Sequence, residues 1–82
     1  MAKYNPLGIT LARSRGEEHR LSISAINGMV VGGLPPSAFG PQRVRFWQNE
    51  DEHGRHVQAR AWRNAGFYVE RLDGEVVIFR RR

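Results

Sequence analysis

The side chains able to do chemistry in this sequence are three histidines, eight carboxylates and an excess of arginine, with no cysteine. His53 and His56 stand three apart in the stretch Glu50–His56, next to Glu50, Asp51 and Glu52. Imidazole and carboxylate oxygen together could hold a divalent ion. No second cluster supplies distant ligands, so the stretch reads as a charged, solvated loop and no metal is expected. Catalysis needs an acid–base or nucleophile–base pair fixed in a cleft. His19, His53 and His56 lie in no motif that fixes such a geometry, so the sequence predicts neither an enzyme nor a cofactor. Thiolate chemistry is absent with cysteine.

Arginine and tryptophan remain. Twelve of the thirteen cations are arginine, and the net charge is +5. A guanidinium matches phosphate or carboxylate in a planar, bidentate way that an ammonium does not. The stretch "RVRFWQNEDEHGRHVQARAWRN" (43–64) holds both tryptophans among several of these arginines. Read as two strands, it sorts by parity, since successive side chains take opposite faces. Val44 and Phe46 oppose Arg43, Arg45 and Trp47; Val57, Ala59 and Ala61 oppose His56, Gln58, Arg60 and Trp62. A turn at Asp73-Gly74 sets Tyr68 opposite Phe79 and Val69 opposite Ile78, and a loop at Asn64-Ala65-Gly66 sets Trp62 opposite Tyr68. One face is then small and aliphatic (Val44, Phe46, Val57, Ala59, Ala61, Val69, Val76, Ile78). The other carries Trp47, Trp62, Tyr68 and Phe79 among Arg43, Arg45, Arg60 and His56.

That second face has two readings. As a wet surface it is a stacking platform for bases, with guanidiniums on phosphates, each stacked base contributing about 1–3 kcal/mol. As an interior, it is covered by the first part of the chain, and the arginines extend to the edge along their aliphatic stems. The first reading names the site as Arg43, Arg45, Trp47, Arg60, Trp62, Arg63 and Tyr68, joined by Arg80, Arg81 and Arg82 of the closing "FRRR". The same arginines could equally form a solubilising chain end.

The elements that must position these residues read as β. "GITLARS" and "RLSISAI" alternate polar and apolar, and Asn27-Gly28 suits a tight hairpin, so residues 1–31 are expected to form a three-stranded meander. Residues 32–42, "GGLPPSAFGPQ", hold three prolines and three glycines and read as an extended connection, with one short turn in "PPSAF". Within it, Phe39 either plugs the fold or anchors a partner. Residues 43–82 give four further strands, "QRVRFWQ", "RHVQARAWR", "GFYVERL" and "EVVIFRR". The expected fold is therefore all-β: one domain over 1–82, a small barrel or sandwich of about six to seven short antiparallel strands with little or no helix. Its size and hairpin chemistry resemble SH3-like and OB-like (oligonucleotide-binding) barrels in general, without a diagnostic motif of either.

An 82-residue chain without disulfides must draw its stability from apolar packing, a partner or a second copy of itself. No apolar run approaches the roughly 20 residues of a membrane helix, and the first residues lack a signal-peptide core. A cytoplasmic protein is expected, or one of the host cytoplasm or virion if phage-encoded, with no membrane partner. The leading expectation is a non-enzymatic basic module binding single-stranded DNA or RNA by backbone charge and stacking. The alternative is a protein–protein interaction module that meets an acidic protein surface, such as a phage or mobile-element accessory protein inhibiting a host factor or serving virion assembly. Homo-oligomerisation through edge strands could accompany either.

Overall fold

Leu7 and Leu11 stand one helical turn apart, and both are sealed in the interior. With Pro6 in the first turn they define α1, Asn5–Ala12. The computed structural model describes residues 3–49 and 57–82. After α1 the chain forms β1 (Glu18–Ser22), α2 (Ile23–Met29), a 3-10 turn at Pro36–Ala38 and α3 (Arg43–Phe46). It then forms α4 (Val57–Asn64), β2 (Phe67–Asp73) and β3 (Val76–Arg81). Among the described residues the architecture is mixed α/β: four helices on an open, three-stranded antiparallel sheet in the order β1-β3-β2. The all-β barrel is overturned. No described helix is long and apolar enough to cross a membrane.

Each misread element has a local cause. Across "GITLARS" the Leu7/Leu11 helical spacing outweighs the alternation, and Ile9 is exposed. Only the start of "RLSISAI" is strand. The Ser22 hydroxyl accepts a hydrogen bond from Ala25 N at 3.0 Å and caps α2, which buries Ile23 and Ile26. Asn27-Gly28 lies inside that helix, so there is no hairpin there. The Asn27 carboxamide instead accepts from Leu34 N at 2.7 Å and folds the following connection back. The short turn expected in "PPSAF" is present as the 3-10 turn.

The second half departs from the expected meander at its first two strands. "QRVRFWQ" yields α3, and "RHVQARAWR" yields α4. Ala, Gln and Arg are strong helix formers, and Gln58, Ala59 and Trp62 form one buried helical stripe. Gly66, at φ +87°, follows the helix, and its N–H returns to Arg63 O at 3.0 Å. The last two expected strands, β2 and β3, are present.

Their register is shifted from the Asp73-Gly74 expectation, by two residues next to the turn and by one beyond a bulge. The two-residue turn is Gly74-Glu75, with Gly74 at φ +60°, and Asp73 pairs with Val76. Tyr68 therefore opposes Arg80, and Val69 opposes Phe79, with a bulge between Val69 and Arg71. The bulge leaves a one-residue slip over residues 67–69, and such a slip exchanges faces. Phe79 consequently joins Phe67, Val69 and Val77 in the interior.

The core is an aromatic line from α3 to the sheet. Phe46 meets Trp47 edge-on at 4.8 Å, Trp47 lies 5.9 Å from Trp62, and Trp62 lies 5.7 Å from Phe79. Trp47 is 2% exposed and Trp62 0%. Both indole N–H groups are satisfied, Trp47 Nε1 by Ala38 O at 3.2 Å and Trp62 Nε1 by Asn49 Oδ1 at 3.0 Å. The rings form the interior, and the wet stacking platform is excluded for them.

α1 closes on α4 at Gly8, where an added Cβ would lie 3.1 Å from the backbone oxygen of Ala61. A β-branched side chain cannot fit without moving the helices apart. Gly8→Val is expected to cost about 1–3 kcal/mol, read as a lower urea midpoint.

The sheet's other face carries a row of ion pairs. Glu18 bonds Arg20 at 2.6 Å and Arg80 at 3.1 Å, and Glu70 bonds Arg80 at 3.1 Å and Arg71 at 3.3 Å. The hydrogen bond from Arg20 holds the Glu18 carboxyl below its ordinary range; desolvation opposes it, and the charges of Arg20, Arg80 and Arg71 add to the lowering. Because the folded value is lowered, any stabilisation is present above the unfolded value and lost as pH falls through the folded one. Solvent exposure keeps it small. Ile78, flanked across the strands by Arg20 and Arg71, is 0% exposed although it lies outside the main core.

Candidate nucleic-acid interface

α4 is held by two buried anchors. Gln58 Nε2 donates to Phe46 O at 2.8 Å, and the Trp62 ring lies in the aromatic line. With Gln58, Ala59 and Trp62 turned inward, Arg60, Arg63 and Asn64 are exposed. Arg60 and Asn64 are four residues apart and share one outward stripe. Both Arg60 and Arg63 also have partners within the fold.

Asn49 locks α4 to the sheet. Its Oδ1 accepts from Trp62 Nε1 and from Val69 N at 2.8 Å, while its Nδ2 donates to Val69 O at 3.0 Å. The carboxamide thus pairs with the outer edge of β2 as a neighbouring peptide would. Asn49→Ala leaves the Trp62 and Val69 donors unmatched, with an expected loss of about 1–2 kcal/mol because water can reach part of this site. Chemical denaturation measures it, and faster exchange of the Val69 amide accompanies it.

The chain end comes to rest beside the C-terminal ends of α1 and α4. Arg82 N donates to Gly66 O at 2.9 Å, and Arg81 N donates to Glu17 O at 2.7 Å. The Arg81 guanidinium lies over the Phe67 ring at 4.7 Å and donates to Ser14 O at 2.7 Å and Gly16 O at 3.2 Å. The backbones of Arg13, Arg15, Arg63, Arg81 and Arg82 therefore meet at one end of the molecule, beside Glu17. Arg13, Arg15 and Arg82 are exposed and make no side-chain hydrogen bond or ion pair among the described residues. Cations at helix C-termini are also favoured by the helix dipole.

The residues named from sequence divide accordingly. Trp47 and Trp62 are interior and unavailable to a ligand. Arg43 is spent on the hairpin tip and the connection, donating to Gly74 O and Gly40 O at 3.3 Å each. Arg80 lies in the ion-pair row with Tyr68 beside it on the outer sheet face, and Arg81 clamps the α1–β1 loop. Arg45 is exposed but stands apart, on the rim of an apolar hollow of about 280 Å³ lined by Ser37, Gln42, Phe46 and Gln58. Arg60, Arg63 and Arg82 fall on or beside α4. Sequence reasoning missed Arg13, Arg15 and Asn64; the available signal was the pair of arginines in "ARSR" directly after the Leu7/Leu11 helical spacing.

The imidazole–carboxylate stretch Glu50–His56 lies outside the described residues. Among the described residues no group of three His, Asp or Glu side chains is placed to hold a metal ion. His19 Nδ1 lies 3.0 Å from the Ser14 hydroxyl across the α1–β1 loop.

No curated protein and no solved structure matches this chain. A family model described as a domain of unknown function, DUF7662, matches residues 4–82, which takes in every element from α1 to β3. The chain belongs to that family.

Proposed function

We propose that this domain is a non-enzymatic nucleic-acid-binding module that grips a duplex through α4 and the arginines at its C-terminal end. The observation that carries this reading is the convergence of Arg13, Arg15, Arg63 and Arg82 on one end of the molecule, beside a helix whose outward stripe is polar and cationic. An α-helix fits the major groove of B-DNA, where arginine pairs bidentately with guanine and asparagine with adenine. Arg60 and Asn64 supply those two chemistries one turn apart, and the flanking arginines supply phosphate contacts. Helix-turn-helix proteins dock a recognition helix in this way, a likeness of presentation that leaves function to the residues themselves. With both indole rings internal, the stacking part of the single-strand expectation loses its support, and a duplex becomes the favoured ligand.

Anisotropy titration of labelled duplex and single-stranded oligonucleotides at two salt concentrations tests the reading. Tighter binding to duplex, falling steeply with salt, supports it. Equal binding that ignores salt contradicts it. A protein partner is the second reading, favoured by exposed Phe39 and by exposed Val44, which Arg43 and Arg45 flank in sequence. Apolar groups rimmed by arginine resemble interface hot spots, and Phe39→Ser with Val44→Ser would then abolish capture of the partner while sparing oligonucleotide binding.

A further inference from the structure

The two edges of the sheet differ. β2, on one side, is interrupted by the Val69/Arg71 bulge and has its outer groups at Val69 paired by the Asn49 carboxamide. Such devices keep an edge from recruiting another strand. β1, on the other side, is regular, contains no proline and has no bulge in its pairing with β3.

The bonds that flank its ladder say where its groups point. Glu17 O accepts from Arg81 N, and Ile23 N donates to Glu75 O. In an antiparallel ladder the residues facing the partner alternate, so 17, 19, 21 and 23 turn their peptide groups to β3. Glu18 and Arg20 then turn theirs outward, and no hydrogen bond to those groups is made among the described residues.

We infer that the β1 edge is the pairing site for a second copy of this chain, joined antiparallel about His19 into a six-stranded sheet. Charge selects both the occupant and the register. With His19 opposite its own copy, Glu18 of each strand faces Arg20 of the other, on the same sheet face, with the outward peptide groups of both residues in hydrogen-bonding position. Shifting the centre to Arg20 sets Arg20 against Arg20, which is unfavourable. The contact is isologous and closes as a two-fold pair. It is short, so the dimer is of the transient class, with Kd between about 1 µM and about 1 mM. This inference does not depend on the nucleic-acid reading.

Sedimentation across that concentration range, with amide exchange read at Arg20, tests it on the intact chain. Self-association is expected, with Arg20 N–H protection rising as concentration rises. Arg20→Glu and Glu18→Arg are each expected to be monomeric, because each places like charges across the two-fold. Mixing the two variants restores the pair as a heterodimer, and their circular dichroism checks that each is folded. A chain monomeric at about 1 mM overturns the inference. So does a dimer that survives Arg20→Glu, or one that forms without protecting the Arg20 amide.

Discussion

Trp62→Ala is expected to remove about 3–5 kcal/mol of stability, the usual range for deleting a large buried aromatic. Chains of this size have about 4–12 kcal/mol in total, at about 0.05–0.15 kcal/mol per residue, so the variant should be close to unfolding at 25 °C. The size of the effect follows from what the ring touches. It bridges Trp47 and Phe79, so its loss opens the contact between α3, α4 and the sheet at once. It also strands one acceptor of Asn49, which in turn pairs the edge of β2. Trp62→Phe keeps most of the ring contact and is expected to lose about half as much. Urea denaturation followed by circular dichroism reads both. The native protein should also show blue-shifted tryptophan emission that an external quencher barely reaches. A Trp62→Ala variant as stable as the parent would mean that the aromatic line is not the core.

The second large effect concerns binding. Replacing Arg13, Arg15 and Arg82 together by alanine is expected to weaken duplex affinity roughly a hundredfold, at about 1 kcal/mol for each exposed charge contact. The slope of log affinity against log salt should fall by about three units, one for each phosphate contact removed. Stability should hardly change, since these side chains have no partner among the described residues. Arg71→Ala removes a charge of the same kind from the ion-pair row on the sheet. Being distant and neutralised by Glu70, it should alter affinity less than about threefold. If the triple variant and Arg71→Ala weaken binding equally, net charge and not the arginine end is responsible.

The sequence made the closing hairpin, residues 67–82, legible and hid most of the rest. β2 and β3 were readable because Asp73-Gly74 marks a tight turn between two β-branched and aromatic runs. Even there the turn sat one residue further on, at Gly74-Glu75, and a bulge between Val69 and Arg71 set Val69 opposite Phe79 in place of Ile78. α4 was hidden because alternation and helical spacing coincide over so short a run. Ala59 and Ala61 share a parity, and Gln58 and Trp62 share both a parity and a helical face. Propensity was the better guide, since "VQARAWRN" is made largely of strong helix formers. Asn27-Gly28 misled in the opposite direction, because a capped helix starting at Ser22 absorbed the pair.

The candidate site was legible in its charge and not in its geometry. Arginine excess pointed to an anionic partner, but which arginines are committed internally depends on distant backbone carbonyls. Arg43 reaches Gly74 O, and Arg81 reaches Ser14 O, 67 residues away in sequence. Neither partner has a local signature. The sequence left the tryptophans between a wet platform and an interior, and their burial settles it for the interior, since what covers a ring is decided by elements elsewhere in the chain.

Amide chemical-shift mapping with a short duplex separates these possibilities in one titration. Shifts confined to α4, to residues 13–16 and to Gly66 and Arg82, collapsing as salt is raised, are the expected result. Shifts centred on the outer sheet face around Tyr68, Arg71 and Arg80, or none at low salt, would contradict a duplex-gripping role for the arginine end.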